Sequence, residues 1–355
     1  MSRSPFKFLD AYQKEDLYRF FGRERETAQL YNAVQASNLV LVYGGSGTGK
    51  TSLINCGLAN QYVESDWLPL FVRRGTDLNR SIDHEIAAAM KNGGPVLDVP
   101  IVERIRALYL DHYRPIYLII DQCEELFIVG SPSEQHHFYQ IVRQILEASA
   151  ACKILLVIRE EYIAFLSDFE KVVPSLFDNR LRIEKLNDAK LARIIVGTAK
   201  AAGIHVEDPP STVSVILENI RDRRTGVDLA NLQVYLDRLW RADLKRQGSD
   251  TPATVTFDPA LAKGVGKLAN VMSDFLDEAL GTIEAGLANR GVGQPRGIPL
   301  EVLFALVTEE GTKRNLDVPT ILEALPANRR IEESDLRFCL KEFERMRLLR
   351  SLAVE

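Results

Sequence analysis

The chain has 355 residues, 46% hydrophobic and 26% charged, the composition of a globular protein long enough for two or three domains. A net charge of −5 gives no general attraction to nucleic acid or to an anionic membrane. The four scattered cysteines, without a C-x-x-C pair or a histidine at metal-ligand spacing, exclude a disulfide framework and a zinc site and indicate a cytoplasmic chain. The N-terminus has no signal-peptide core, and every apolar run is far shorter than the roughly 20 residues of a membrane helix, so we expect no membrane partner.

Short apolar runs alternate with helix-period segments through the first half of the chain. The predicted strands are Asn38–Tyr43, Leu68–Val72, Ile116–Ile120 and Lys153–Ile158. The predicted helices are Lys50–Gln61, Arg80–Lys91, Val102–Leu110 and Glu134–Ala148. Continuous apolar strands that alternate with helices indicate a parallel sheet with helices on both faces. We therefore predict an α/β domain of the doubly wound class over residues 1–186.

The strand signal disappears after about Leu186, and the rest of the chain has the periodicity of helices. The predicted helices of this part are Asp188–Gly203, Ser211–Arg221, Val227–Lys245, Leu261–Leu280, Pro299–Glu309, Val318–Leu325 and Glu333–Leu349. A polar linker is expected at Gln247–Pro252. The last three helices suit a helix-turn-helix or winged-helix module, and the chain stops at Glu355, where a wing strand would begin. We expect a helical domain at 187–250 and a winged-helix-like domain, cut short at its wing, at 251–355.

A complete phosphate-loop pattern follows the first predicted strand. Gly44–Thr51 matches G-x-x-x-x-G-K-[ST] and leads into a predicted helix. Glycines let the backbone turn its N–H groups inward around phosphates, and the helix directs the positive end of its dipole at them. We expect the Lys50 ammonium to reach the β- and γ-phosphates of a nucleotide, most simply ATP, and the Thr51 hydroxyl to bind Mg²⁺. The residues expected to bind ATP or ADP here are Gly44, Gly45, Ser46, Gly47, Thr48, Gly49, Lys50, Thr51 and Ser52.

A second signal for the metal is the apolar strand Ile116–Ile120, which ends in the carboxylate of Asp121. Aspartate ends many strands because it favours turns, so the strand alone would be a weak signal. Because the strand follows a complete phosphate loop, Asp121 is the predicted second Mg²⁺ residue. In many such sites a water molecule lies between the aspartate and the metal ion.

The residues after Asp121 are the candidates for activating the attacking water. Many P-loop ATPases place a glutamate directly after the aspartate, whereas this chain has Gln122. An amide can orient water but cannot accept its proton, so we expect slow hydrolysis unless Glu124 or Glu125 supplies the base. An acidic first turn favoured by the helix dipole explains these two glutamates equally well.

Several arginines could contact the phosphates. Arg159 follows the fourth predicted strand, at the edge where parallel sheets bind ligands, and could sense the γ-phosphate; a surface arginine in a charged turn is the alternative. Arg23 precedes the first core helix and could also reach the nucleotide. Arg180 and Arg182 could act in cis or across a subunit boundary, although structural ion pairs are the simpler interpretation for them.

Together these motifs resemble the STAND NTPases (signal-transduction ATPases with numerous domains), especially the bacterial clade called novel STAND. The resemblance covers about residues 5–350. It is carried by Phe6–Tyr12 with Phe20–Glu24, by the loop Gly44–Thr51, by the string Asp121–Phe127, by Leu156–Tyr162 and by Gly226–Gln233 with Leu239-Trp240. The string Asp-Gln-x-Glu-Glu-Leu-Phe is the most specific of these.

The resemblance implies an NTPase core, a helical lid and a winged-helix domain that work as a switch. Nucleotide would hold the domains closed, and a trigger would open them for homo-oligomerisation and activation of an effector, in antiphage defence or stress signalling. The family usually has a proline in the lid loop that packs on adenine, whereas this chain has Leu229-Ala230 there, so its adenine recognition must differ.

Two other functions compete with this interpretation. One is a DNA-binding ATPase of the origin-recognition or transcription-regulator kind, in which the winged helix would contact DNA. Residues 251–355 contain 13 Lys and Arg against 16 Asp and Glu, and acidic residues interleave with basic ones along Ser334–Arg350, which disfavours nucleic acid as a partner. The other is a small-molecule kinase, but no acceptor-binding insertion is recognisable near the phosphate loop.

Overall fold

The structure is a computed structural model of the whole chain. It describes residues 4–8, 10–91, 99–148, 151–222, 226–248, 254–307, 314, 316–326, 329, 331–346 and 348–349. Within this part of the chain, no helix combines the length and the hydropathy needed to cross a bilayer.

The N-terminal part is built on a five-stranded parallel sheet. Its strands are β1 (Leu39–Gly44), β2 (Leu68–Val72), β3 (Ile116–Ile120), β4 (Cys152–Arg159) and β5 (Arg180–Arg182), in the order β2-β3-β4-β1-β5. The four predicted strands and the parallel sheet are confirmed. Strand β5 was not predicted, because a three-residue strand with two exposed arginines has no apolar run. Because β4 lies between β1 and β3, the phosphate loop, Asp121 and Arg159 emerge at one edge of the sheet.

Helices cover both faces of this sheet. They are α1 (Glu24–Ala36), α2 (Lys50–Ser52), α3 (Leu78–Ala89), α4 (Ile101–His112), α5 (Glu125–Ile128) and α6 (Pro132–Glu147), with a π-helical turn at Leu53–Leu58 and 3₁₀ turns at Lys14–Arg19, Ala59–Gln61, Glu64–Asp66 and Glu160–Phe169. Along β1, Leu39 and Leu41 pack in the core with α3, α4 and α6, while Val40 and Val42 pack in the core with α1 and the π-helical turn. A strand buried on both faces is apolar throughout, which is why its sequence shows no alternation.

The second unit is helical. It contains α7 (Asp188–Ala201), α8 (Pro209–Ile220), α9 (Leu229–Gln247) and α10 (Pro259–Val265), with the short parallel strands β6 (His205–Val206) and β7 (Thr256–Phe257). The expectation of no strands after Leu186 was wrong, because two-residue strands are too short for a periodic pattern. The hydrophobic cluster of this unit includes Phe6 and continues to Val271, so it lies on both sides of the boundary expected at residues 250/251. We refer to this unit as the lid.

The C-terminal helices are α11 (Leu268–Asn289), α12 (Ile298–Ala305), α13 (Val318–Ala324) and α14 (Glu333–Arg345), packed around a separate cluster that includes Ile283 and Phe343. The prediction of one helix over Leu261–Leu280 was wrong. The chain leaves α10 at Gly266, whose φ of +77° is a left-handed conformation suited to glycine, and restarts as α11. The three later predicted helices are present within the described residues. The residues beyond Leu349, where a wing strand was expected to begin, lie outside them.

Candidate nucleotide-binding site

The phosphate loop connects β1 to α2 and has the backbone geometry that its glycines predict. Gly47 and Gly49 have φ of +68° and +85°, and Gly49 is the N-cap of α2. The Lys50 ammonium donates hydrogen bonds to the carbonyl oxygens of Gly44 at 2.7 Å and Gly45 at 3.0 Å. Lys50 therefore folds back across its own loop, where it can exchange carbonyl oxygens for phosphate oxygens.

The electrostatic surroundings of Lys50 suit an anionic ligand. Burial lowers the pKa of its ammonium, the carboxylates of Glu124 and Asp121 oppose that shift, and Arg159 adds to it. A partly desolvated cation beside another cation gains more from a bound phosphate than an exposed lysine would.

The other predicted loop residues line the same turn. The buried Thr48 hydroxyl donates to the Gly45 carbonyl at 3.0 Å, Ser46 is exposed at the tip, and the Ser52 hydroxyl accepts a hydrogen bond from the Tyr12 amide at 3.1 Å. The loop is thus held by its own hydroxyls and by the N-terminal segment.

Thr51 and Asp121, the two predicted Mg²⁺ residues, are in contact. The Thr51 hydroxyl lies 3.1 Å from each carboxylate oxygen of Asp121, and the Asp121 side chain is buried. A hydroxyl and a carboxylate are oxygen donors of the kind that Mg²⁺ takes in such sites, and both side chains stand at the edge of the sheet beside the phosphate loop. The residues present therefore fit a Mg²⁺-nucleotide site.

Arg73, the residue that follows β2, was not among the predicted site residues. Its Nε and Nη2 atoms lie 3.0 and 2.5 Å from the same Asp121 oxygen, Oδ2. The available signal was positional: Arg73 stands at the carboxyl end of the strand that neighbours β3. Parallel strands bring such ends together.

Of the three candidate water-activating residues, Glu124 has the most constrained position. Its carboxylate is buried, accepts a hydrogen bond from the Arg159 amide at 3.2 Å and pairs with Arg159 Nε at 3.0 Å. Gln122 has a left-handed backbone, with φ of +59°, and the half-buried Glu125 begins α5. The backbone thus turns left-handed at Gln122, between the end of β3 and Glu124, whose carboxylate lies against Arg159.

The other arginines contact protein groups. Buried Arg23 donates from Nη2 to the carbonyl oxygens of Thr48 at 2.7 Å and Glu184 at 2.8 Å, so it holds the phosphate loop in place. Its guanidinium is therefore engaged by backbone and by Glu26, at 2.9 Å, and the expected contact with nucleotide stays a prediction. Arg182 pairs with Glu160 at 2.7 Å, and Arg180 is exposed on β5.

The lid touches the phosphate loop directly. The backbone amide of Leu229, at the start of α9, donates to the Gly47 carbonyl oxygen at 3.2 Å. Asp228 caps α9 by accepting from the Ala230 amide at 2.8 Å, and its carboxylate lies so close to Gly47 that a Cβ there would be 1.6 Å from Oδ2. Gly47 is therefore required by its backbone angle and by the lid.

The N-terminal segment joins the same assembly. While the Tyr12 amide contacts Ser52 of the loop, the Lys7 amide donates to Gln233 Oε1 on α9 at 3.3 Å. Burial raises the pKa of the Tyr12 phenol to about 12, while the positive charge of Arg19 and the nearby side chains of Thr198 and Gln233 oppose that shift. The segment thus connects loop and lid.

Comparison with known proteins identifies a family from the sequence and a shared fold from the structure. The sequence model of the family described as Novel STAND NTPase 1 matches residues 5–351. A search of curated proteins found no significant sequence match. Among solved structures, the ORC2 protein of Aeropyrum pernix in its ADPNP-ADP complexes is similar with a TM-score of 0.53 and 14% identity, over 97% of this chain and 92% of that one. A Walker-type ATPase of Pyrococcus abyssi is similar with a TM-score of 0.50 and 14% identity, over 97% and 93%. At these identities the likeness shows a shared fold.

Proposed function

The chain belongs to the novel STAND NTPase 1 family and is a P-loop NTPase, and from this premise we propose that it is an ATP-dependent, slowly hydrolysing molecular switch. The observation that carries the proposal is the contact between lid and phosphate loop, in which the Leu229 amide donates to the Gly47 carbonyl at 3.2 Å. A ligand bound in this loop lies beside the atoms that hold the lid. Its contacts therefore differ between the arrangement with the lid docked and the arrangement with the lid undocked.

The proposed ligand is ATP with Mg²⁺. Lys50 and the loop amides would take the β- and γ-phosphates, and Thr51 with Asp121 would hold the metal, which supplies charge neutralisation on the phosphates when bound. The N-terminal segment contacts Ser52 through the Tyr12 amide and contacts the lid through Gln233. We propose that they recognise the base without the lid-loop proline usual in the family.

Slow hydrolysis follows from how the candidate base is held. Gln122 cannot accept a proton, and Glu124 is engaged twice by Arg159, through its amide and its guanidinium. A carboxylate held by two such contacts is kept away from a water molecule until the arginine finds another anion. We propose that the γ-phosphate competes with Glu124 for Arg159, and that the cost of breaking both contacts makes the release of Glu124, and therefore hydrolysis, slow.

A nucleotide-dependent change in shape is the test. Small-angle scattering and single-turnover hydrolysis would be measured with ADP, with a non-hydrolysable ATP analogue and without nucleotide. We expect different scattering profiles for the two nucleotides and turnover far below the ~10 s⁻¹ typical of enzymes. Lys50→Ala is the matched control, since it should give one profile in all three conditions. Identical wild-type profiles with fast steady-state turnover would instead indicate a metabolic ATPase or a kinase.

We propose that opening of the lid leads to homo-oligomerisation and activation of an effector by a trigger, as the family resemblance implies, in a cytoplasmic signalling or antiphage setting. Mass photometry with ADP and with the ATP analogue would test assembly. A monomer in both states, across micromolar concentrations and with a scattering change present, would remove oligomerisation from the proposal while leaving the switch.

DNA binding is the weaker candidate. Two basic residues of α14 pair within the helix, Arg337 with Glu333 at 2.6 Å and Arg345 with Glu342 at 2.7 Å. Arg290 pairs with Asp335 of the same helix at 2.6 Å. Cations paired with neighbouring carboxylates are poorly placed to neutralise DNA phosphates. These pairs support packing within the protein as the role of the C-terminal helices.

A further inference from the structure

The ion pair between Arg73 and Asp121 places a fixed positive charge at the predicted Mg²⁺ site. Both hydrogen bonds described for the Arg73 guanidinium end on Asp121 Oδ2, at 3.0 and 2.5 Å. The same oxygen lies 3.1 Å from the Thr51 hydroxyl. The two side chains expected to hold the metal are therefore already joined, and their carboxylate is already neutralised by this chain's own cation.

Arg73 is also held more loosely than its neighbour. The Arg74 guanidinium is nearly buried, bonds both Glu134 oxygens, at 2.8 and 2.9 Å, and donates to the carbonyls of Gly75 and Thr76. Arg73 is 32% exposed, with both of its described bonds on one oxygen of Asp121. Arg74 is therefore fixed within the domain, whereas Arg73 is placed so that it can leave Asp121.

We propose that Arg73 competes with Mg²⁺ for Asp121 and thereby sets the Mg²⁺ concentration at which the nucleotide binds tightly. This inference rests on the proposed Mg²⁺-nucleotide site. An arginine stays protonated at every physiological pH, so it cannot vacate the carboxylate by losing its charge. A divalent cation that reaches Asp121 beside Thr51 meets an oxygen already bonded to the guanidinium, and the two positive charges repel at short range. Binding of the metal at Oδ2 requires the guanidinium to turn outward to solvent, and binding at Oδ1 takes place against the repulsion of the guanidinium on the other oxygen.

The binding of Mg²⁺ is therefore coupled to the binding of the nucleotide. The phosphates of a bound nucleotide attract Mg²⁺ into the site and offset the cost of displacing Arg73, whereas Mg²⁺ alone must displace it without that help. The ion pair therefore disfavours metal binding before nucleotide binding, and it protects the buried carboxylate of Asp121 from being left unpaired.

The test compares Arg73→Gln with Arg182→Gln. Both substitutions remove one cation near the phosphate loop, but Arg182 pairs with Glu160. A fluorescent ATP analogue would be bound in EDTA and then titrated with Mg²⁺. We expect the midpoint of the Mg²⁺ effect to fall about tenfold in Arg73→Gln and to stay within twofold of wild type in Arg182→Gln. Arg73→Lys keeps the positive charge but loses the paired N–H groups of the guanidinium, so its midpoint should lie between those of the other two variants.

A second measurement is independent of the nucleotide. Mg²⁺ alone should raise the melting temperature of Arg73→Gln more than that of wild type, because its Asp121 is free to take the metal. An unchanged or higher midpoint, or equal Mg²⁺ stabilisation, overturns the inference. A weaker affinity for the analogue in EDTA with an unchanged midpoint also overturns it, since Arg73 would then act on phosphate. Failure of the wild type to bind the analogue at all would instead overturn the proposed function, and the melting comparison would still decide the role of Arg73.

Discussion

The Leu229 amide donates to the Gly47 carbonyl oxygen, so the first turn of the lid helix α9 is bonded to the middle of the phosphate loop. The Asp228 carboxylate, which caps that helix, fills the space beside the Gly47 Cα. Helix caps and phosphate loops are each local motifs, and here they share an interface. The loop therefore serves as a docking surface for the lid as well as a cradle for phosphate.

Gly47→Ala should undock the lid. The new Cβ would meet Asp228 Oδ2 at 1.6 Å and would require a left-handed conformation that costs about 1 kcal/mol outside glycine. We expect faster hydrogen exchange at the Leu229 amide and nucleotide affinity at least tenfold weaker. Gly248→Ala is the matched control, because its φ of +65° imposes the same strain with nothing within 4 Å. Adding Asp228→Gly should restore part of the docking. If the double variant shows no restoration, the proposed contact is contradicted.

Lys50→Ala should weaken the binding of ATP severely. The ammonium supplies charge-assisted bonds to phosphate, each worth about 1.5–3 kcal/mol, so a loss of roughly a hundredfold in affinity is expected. Equilibrium titration with a labelled ATP analogue would measure it, with Lys200→Ala on the exposed face of α7 as control. Wild-type affinity in the Lys50 variant would contradict the phosphate-loop assignment.

Asp121→Asn should remove the part of nucleotide affinity that depends on Mg²⁺. An amide keeps hydrogen-bonding capacity toward Thr51 and Arg73 but loses the charge that attracts the metal. In EDTA the variant and the wild type should bind the nucleotide about equally. The expected result in millimolar Mg²⁺ is an affinity several-fold or more below wild type. Equal Mg²⁺ dependence in both proteins would show that Asp121 is not the metal residue.

Glu124→Gln should slow single-turnover hydrolysis by about 10²–10⁴-fold while leaving nucleotide binding nearly intact, because a positioned general base contributes about that much. The amide oxygen can still accept from the Arg159 backbone, so folding should survive. Glu125→Gln is the control and should change the rate less than threefold. If Glu125→Gln abolishes hydrolysis and Glu124→Gln does not, the base has been assigned to the wrong residue.

Double-stranded DNA should bind weakly and without sequence preference, with a dissociation constant no tighter than roughly 10⁻⁶ M at physiological salt. Two of the three basic residues of α14, Arg337 and Arg345, pair with acidic residues of the same helix. Fluorescence anisotropy on random and palindromic duplexes, at two salt concentrations, would measure this affinity. A nanomolar complex with one sequence would favour the origin-recognition type of function.

The sequence alone determined the local chemistry of this protein. The glycines of Gly44–Thr51, the apolar strands and the carboxylate after Ile120 could be recognised because each is a short-range pattern: backbone freedom, burial on two faces, or a polar group at a strand end. For the same reason the parallel sheet could be predicted, whereas β5, β6 and β7 were too short for any pattern. The break at Gly266 was overlooked because a helical period continues on both sides of it.

Only the tertiary structure decided which of these groups meet. Arg73 reaches Asp121 because β2 lies beside β3. Glu124 reaches Arg159 because β4 lies beside β3 and because the backbone turns left-handed at Gln122, just after β3. The contact of Leu229 with Gly47 requires a second domain to fold back on the first. Such pairs depend on the order of strands and on domain docking, which are set by the free energy of the whole packed chain rather than by the residues near each group in sequence.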